Sequence, residues 1–133
     1  LTASEVAQLK LNADWVILSA CNTAAADGTP GANGLSGLAK AFFYAGSRAL
    51  LVSHWPVVSD AAVALTTRML SAAKTGLTRA EAHRQAMMAM IDKGPTRNAH
   101  PALWAPFVVV GEGGGRARQR YAMMTSRPFI LSA

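Results

Sequence analysis

Cys21 is the one cysteine of the chain, and it closes the apolar run Trp15-Val16-Ile17-Leu18-Ser19-Ala20-Cys21 ahead of Asn22-Thr23 and a polar, glycine-rich stretch. A thiol at the end of a buried strand, with a loop behind it, is placed as a nucleophile: the strand holds the Cα and the loop leaves one side open to substrate. Such a thiol cleaves acyl bonds when it is ionised, when a proton donor serves the leaving group and when N–H groups receive the oxyanion. A free thiol with a pKa of ~8.5 is only slightly ionised at neutral pH, so a base or a positive field must stand beside it. The other reading of a lone cysteine in an apolar run is a small, inert core residue.

Three histidines could serve such chemistry. His54 ends the second apolar run, at the sheet edge that Cys21 would share if the two strands are parallel. His83 stands in a helical pattern beside Arg84 and is expected to face solvent, while His100 precedes Pro101 and is expected to order a loop. No pair of them has metal-ligand spacing, so neither a metal nor a cofactor is expected. The glycines of Gly111-Glu112-Gly113-Gly114-Gly115 lack the Gly-Lys-Ser/Thr of a phosphate cradle and read as a flexible exit from the domain.

The elements that must position these residues follow from periodicity. Thr2 to Leu9 reads as a short helix, with Thr2 and Glu5 at capping-box spacing. Trp15 to Ala20 is too short for a helix and reads as a buried strand, followed by a loop from Asn22 to Gly34. Leu35, Leu38, Ala39, Phe42 and Phe43 form one helical face, ended by Gly46. Ala49 to Ser53 is a second buried strand. Ser59 is expected to cap a helix carrying Ala62, Leu65, Thr66, Met69, Leu70 and Ala73, and Gly76 stops it. Thr78 and Glu81 open another helix to about Ile91, with Leu77 as a hydrophobic staple. After a loop from Gly94 to Pro101, Phe107 to Val110 is a third strand, and Trp104 and Phe107 are expected in the core. Apolar strands alternating with helices argue for an α/β sheet covered on both faces, with about three mostly parallel strands. Three strands leave a bare apolar edge, so the chain reads as part of a domain, and the absence of an initial Met agrees.

Hydrophobic residues make up 51% of the chain and charged residues 15%, enough apolar material for a core. The longest apolar run, Ala102 to Val110, is interrupted by Pro106 and is too short to span a bilayer, so no membrane partner is expected. Of the net charge of +6, four arginines (116, 118, 120 and 127) lie after Gly115, which leaves nine basic against seven acidic residues in the body. Cations gathered in a tail rather than on a folded face argue against specific nucleic-acid binding. A single unpaired cysteine fits a reducing compartment and points to the cytoplasm.

Four motifs stand in linked order: Leu18-Ser19-Ala20-Cys21-Asn22-Thr23, Gly34 to Gly46, Ser53-His54-Trp55-Pro56-Val57 and His100 to Gly111. In order and spacing they resemble the CHAT domain, a family of caspase-like (clan CD) cysteine peptidase domains often found downstream of tetratricopeptide repeats in bacterial proteins. The resemblance covers residues 1–112, leaving 113–133 as a Gly/Arg-rich tail expected to be disordered. It implies part of a three-layer caspase-like sandwich and a Cys–His dyad in which Cys21 is the nucleophile. The dyad histidine would follow an earlier strand, upstream of the Cys strand, in a region this sequence does not contain, so the piece alone is expected to be inactive. The resemblance also places Ser53, His54, Trp55 and Asp60 at the substrate pocket. Trp55 would be a flat wall for an extended peptide. Asp60 would favour a basic side chain, or would simply complement the N-terminus of its helix. The implied partners are a protein or peptide substrate and an upstream repeat domain. The alternative is a catalytically silent interaction module of a larger protein.

Overall fold

The computed structural model describes residues 2–18, 37–115, 121–124 and 130–132. The chain runs α1 (Ala3–Ala7), β1 (Trp15–Leu18), α2 (Gly37–Tyr44), β2 (Ala49–Ser53), α3 (Ser59–Lys74) and α4 (Arg79–Lys93). Two 3₁₀ turns, Thr96–Ala99 and Pro101–Leu103, then lead to β3 (Phe107–Gly111), β4 (Tyr121–Met124) and β5 (Ile130–Ser132).

Local signals act where they were read. The Thr2 hydroxyl accepts from the Glu5 N–H at 3.3 Å while the Glu5 carboxylate accepts from the Thr2 N–H at 2.7 Å, closing the capping box. Thr78 also caps α4, accepting from the Glu81 N–H at 3.3 Å, but this box is only half closed, because the Glu81 carboxylate accepts from Arg84 and Gln85 instead. Gly46 takes φ +95° after α2, where the Ser47 N–H reaches back to the Phe42 carbonyl. Ser59 is the exception: it is the first residue of α3, the cap position falls to Val58, and no side chain caps this end. The Val58 carbonyl instead accepts from both Ala61 and Ala62, so backbone alone starts the helix.

The sheet order is β3-β2-β1-β4-β5. β1 lies parallel to β2, with Val16 beside Leu50 and Ile17 beside Leu51, the crossover that a connection through α2 allows. β3 runs antiparallel to β2, so the core sheet is mixed. On its other side β1 pairs in parallel with β4, which pairs antiparallel with β5. The edge of β1 is therefore not bare, contrary to expectation. Two stretches within 113–133 form strands where the sequence suggests a tail, and the apolar composition of Tyr121-Ala122-Met123-Met124 suits a parallel neighbour.

Alternation along β1 and β2 sorts the core into two halves. Val16, Leu18, Leu50 and Val52 pack with Val6 of α1 and Ala39 and Phe42 of α2. Trp15, Ile17 and Leu51 pack with Leu65 and Met69 of α3 and Ala82, Ala86 and Met90 of α4. Helices, sheet and helices form three layers, consistent with part of a caspase-like sandwich. Phe107 is buried in the second half and Trp104 packs against it.

His83 is buried, not solvent-facing. It lies on the stripe Arg79, Ala82, His83, Ala86, Met90, the inward face of α4. Two polar residues on that stripe hid the pattern from a hydrophobicity reading. Arg79 is the more buried of the two, at 1% exposure. Its guanidinium lies 3.5 Å from the Asp14 carboxylate and donates to the Glu112 carbonyl at 2.8 Å. The glycine run is likewise anchored, because Arg79 and Ala80 donate their N–H groups to Gly115 and Gly113. These are the free amides of the first turn of α4, which need acceptors from outside the helix.

Candidate active site

Because β1 and β2 are parallel neighbours, both deliver the chain to the same edge of the sheet. The carboxyl edge of adjacent parallel strands is where open α/β sheets bind ligands. From β1 the chain passes Leu18 and reaches Cys21 three residues later; Cys21, like all of residues 19–36, lies outside the described residues. From β2 it passes Ser53 and reaches His54 and Trp55.

The Ser53–Trp55 segment is held in place by the chain before β3. Ser53 is buried and in register with Phe107. The His54 N–H donates to the Pro106 carbonyl at 3.0 Å, extending the ladder one step past β2. The Trp55 indole Nε1 then donates to the Ala102 carbonyl at 3.0 Å. With its N–H engaged the ring stays 42% exposed, so an apolar face is offered to solvent in one orientation. The His54 side chain is exposed beside it. Asp60 is exposed in the first turn of α3, where the partial positive charge of the helix N-terminus favours a carboxylate. Of the five pocket and nucleophile residues named from sequence, four are thus described. His54 and Trp55 are accessible at the strand edge, Ser53 lies beneath them, and Asp60 stands on the next helix.

The remaining histidines are engaged elsewhere. His100 Nδ1 accepts from the Ala102 N–H at 3.2 Å and caps the second 3₁₀ turn, ordering the loop as the sequence suggested. Trp104 Nε1 donates to the Ala99 carbonyl at 3.1 Å, which stiffens the same loop. His83 Nε2 has no hydrogen-bond partner among the described residues, and burial holds its pKa below the ordinary histidine value. The acceptor that fixes Trp55 is a backbone carbonyl of alanine 47 residues away, for which no sequence signal exists. Among the described residues no group of three His, Cys, Asp or Glu could hold a metal. None of the described helices is long and apolar enough to cross a membrane.

Residues 1–112 match the CHAT domain, and the chain belongs to that family. Tetratricopeptide repeat protein 28 of mouse is 32% identical over 111 residues, 84% of this chain, and the human protein of the same name matches to the same extent. The chain spans about 4% of the length of either relative. Both relatives are mammalian, whereas the sequence suggested bacterial company. No solved structure matches.

Proposed function

We propose that this chain is the nucleophile-bearing part of a cysteine-type endopeptidase domain, with Cys21 as nucleophile and Ser53, His54, Trp55 and Asp60 around the substrate pocket. The observation that carries this reading is the parallel register of β1 and β2. It directs the chain leading to Cys21 and the braced Ser53–Trp55 wall to one edge. Membership of a caspase-like family supports the reaction class.

In this reading the Cys21 thiolate adds to the scissile carbonyl carbon, forming a C–S bond while the oxygen becomes an oxyanion held by backbone N–H groups. Collapse breaks the C–N bond, and the amine leaves with a proton from an imidazolium. Water then hydrolyses the thioester and returns the thiol. Trp55 offers the peptide a flat wall, and the exposed carboxylate of Asp60 is available to a cationic side chain. His83 and His100 are occupied by packing and capping, and His54 belongs to the β2 side of the site. The base is therefore assigned to a histidine outside these 133 residues, as the family arrangement implies. The relatives' repeats suggest a protein substrate recruited by an upstream tetratricopeptide domain. A nucleophile that must stay reduced favours the cytoplasm.

A second reading, an interaction module without catalysis, is favoured by one observation. β4 occupies the side of β1 on which the family arrangement sets the histidine-bearing strand. A thiolate-reactive peptide probe applied to the full-length protein separates the two. Labelling at Cys21 that vanishes in Cys21→Ala, and that slows by about 10²–10⁴-fold when the base is removed, supports the peptidase. No labelling, or equal labelling of Cys21→Ala, leaves the interaction module.

A further inference from the structure

β4 reaches β1 from across the sheet. β3 ends at Gly111 beside Ala49, the first residue of β2, and β4 begins at Tyr121 beside Trp15, the first residue of β1. Gly111 and Tyr121 therefore lie at the same end of the sheet, three strand spacings apart, or about 14 Å. The start of the connection is fastened to α4. The Arg79 guanidinium donates to the Glu112 carbonyl at 2.8 Å, and the Arg79 and Ala80 N–H groups donate to Gly115 and Gly113 at 3.2 and 2.9 Å. Beyond it, among the described residues, β4 and β5 pack chiefly against β1 and each other. A two-stranded hairpin is marginal by itself. The parallel seam to β1 is also weaker per residue than the antiparallel seam inside the hairpin, so the two strands would come away as one unit.

While it is seated, the hairpin fills its side of β1 completely. Trp15, Val16, Ile17 and Leu18 stand in register with Tyr121, Ala122, Met123 and Met124, so no residue of β1 is left for another strand there. A general base serving Cys21 has to arrive at the edge where β1 ends. A strand beside β1 brings its following residues to that edge only if it runs parallel to β1. β4 has that sense, and Met124 arrives beside Leu18. It brings no base with it: residues 116–133 contain no His, Asp or Glu.

We propose, resting on the peptidase reading above, that β4 and β5 form an autoinhibitory hairpin. It sits on β1 in the place of the strand that carries the catalytic histidine, and the enzyme turns on when that strand displaces it. The resident strand has the direction of the one it excludes and lacks its chemistry. One side of a strand pairs with one neighbour, so a seated hairpin and a delivered base exclude each other. The connection pinned on Arg79 keeps the released hairpin tethered at high effective concentration, so repression is reversible.

Two readouts on the full-length protein test this. In a Cys21→Ser background, Leu18→Cys with Met124→Cys puts thiols on register partners about 4.8 Å apart, within the Cα range of a disulfide. Mild oxidation should close that bond, identified by mass spectrometry of the linked peptides. With Cys21 intact, Met123→Pro and deletion of 121–132 each unseat the hairpin. β4 has a strand on both sides, so the proline loses a ladder bond whichever way the missing N–H would face. A hairpin seated in about nine of ten molecules lowers the labelling rate about tenfold, so both variants should react with a thiolate-reactive peptide probe about tenfold faster than the unsubstituted protein. No disulfide, or a variant that labels no faster, overturns the proposal. Labelling no greater than that of Cys21→Ala in every form overturns the peptidase reading and this proposal together. Specific labelling of Cys21 at one common rate overturns this proposal alone.

Discussion

Trp55 and Ala102 are joined by an indole N–H to carbonyl hydrogen bond of 3.0 Å that ties the end of β2 to the turn before β3. One bond thus helps to set the orientation of an exposed apolar face at the candidate site. A wall assembled in this way is preorganised, so a peptide docking on it would lose little freedom of the site itself.

Removing the donor should be felt both in stability and in substrate capture. Trp55→Phe keeps the apolar body and deletes the bond, at a cost of about 0.5–1.5 kcal/mol in urea unfolding. Trp55→Ala removes the wall as well, and under the proposed peptidase function the full-length protein should show KM rising more than kcat falls. A kcat loss with unchanged KM would refute the wall.

Arg79→Met should be among the most destabilising substitutions in the chain. Among the described residues it leaves the buried Asp14 carboxylate with only Arg48, at 3.7 Å and half exposed, to compensate it. Breaking a buried pair from one side costs about 3–5 kcal/mol. Adding Asp14→Asn should recover part of that loss, and a double-mutant cycle by chemical denaturation measures the coupling. Strict additivity would show that the pair contributes nothing.

Acid should weaken the fold through His83. Burial lowers its pKa in the folded chain, so the unfolded chain binds the extra proton first. Stability is full above the unfolded histidine value and falls as pH drops below it toward the lowered folded value, by at most about 1.4 kcal/mol per pH unit for one proton. His83→Gln should flatten the stability profile between pH 7 and 5. An unchanged slope would assign the acid sensitivity to other groups.

Gly111 cannot be replaced cheaply. Its φ is +97°, and a Cβ there would sit 2.6 Å from the Arg48 carbonyl oxygen and 2.9 Å from the Phe43 ring. Gly111→Ala should lower stability by about 1–3 kcal/mol, read from thermal unfolding. Gly114→Ala, with no atom within 4 Å of the added carbon, should be nearly neutral.

Much of this was legible from residues close together in the chain. The capping boxes need only a hydroxyl and a carboxylate three residues apart, and both threonines cap. The runs Trp15 to Leu18 and Ala49 to Ser53 are strands because short, continuous apolar stretches bury both faces. The motifs around Cys21, Ser53 and His100 sufficed for the family. His83 escaped because a histidine beside an arginine looks solvated until the helix is placed, and Ser59 because a cap depends on where the preceding chain arrives.

The sequence by itself determined the kinds of element, their order and the family, since periodicity, caps and motif spacing are written in neighbouring residues. Only the tertiary structure decided the antiparallel sense of β3, the pairing of β4 with β1, the burial of Arg79 against Asp14 and the bond from Trp55 to Ala102. The physical reason is the same for all four. Each depends on groups dozens of residues apart, and most of those groups are backbone N–H and C=O, which every residue carries alike and which acquire an identity only when the chain has folded around them.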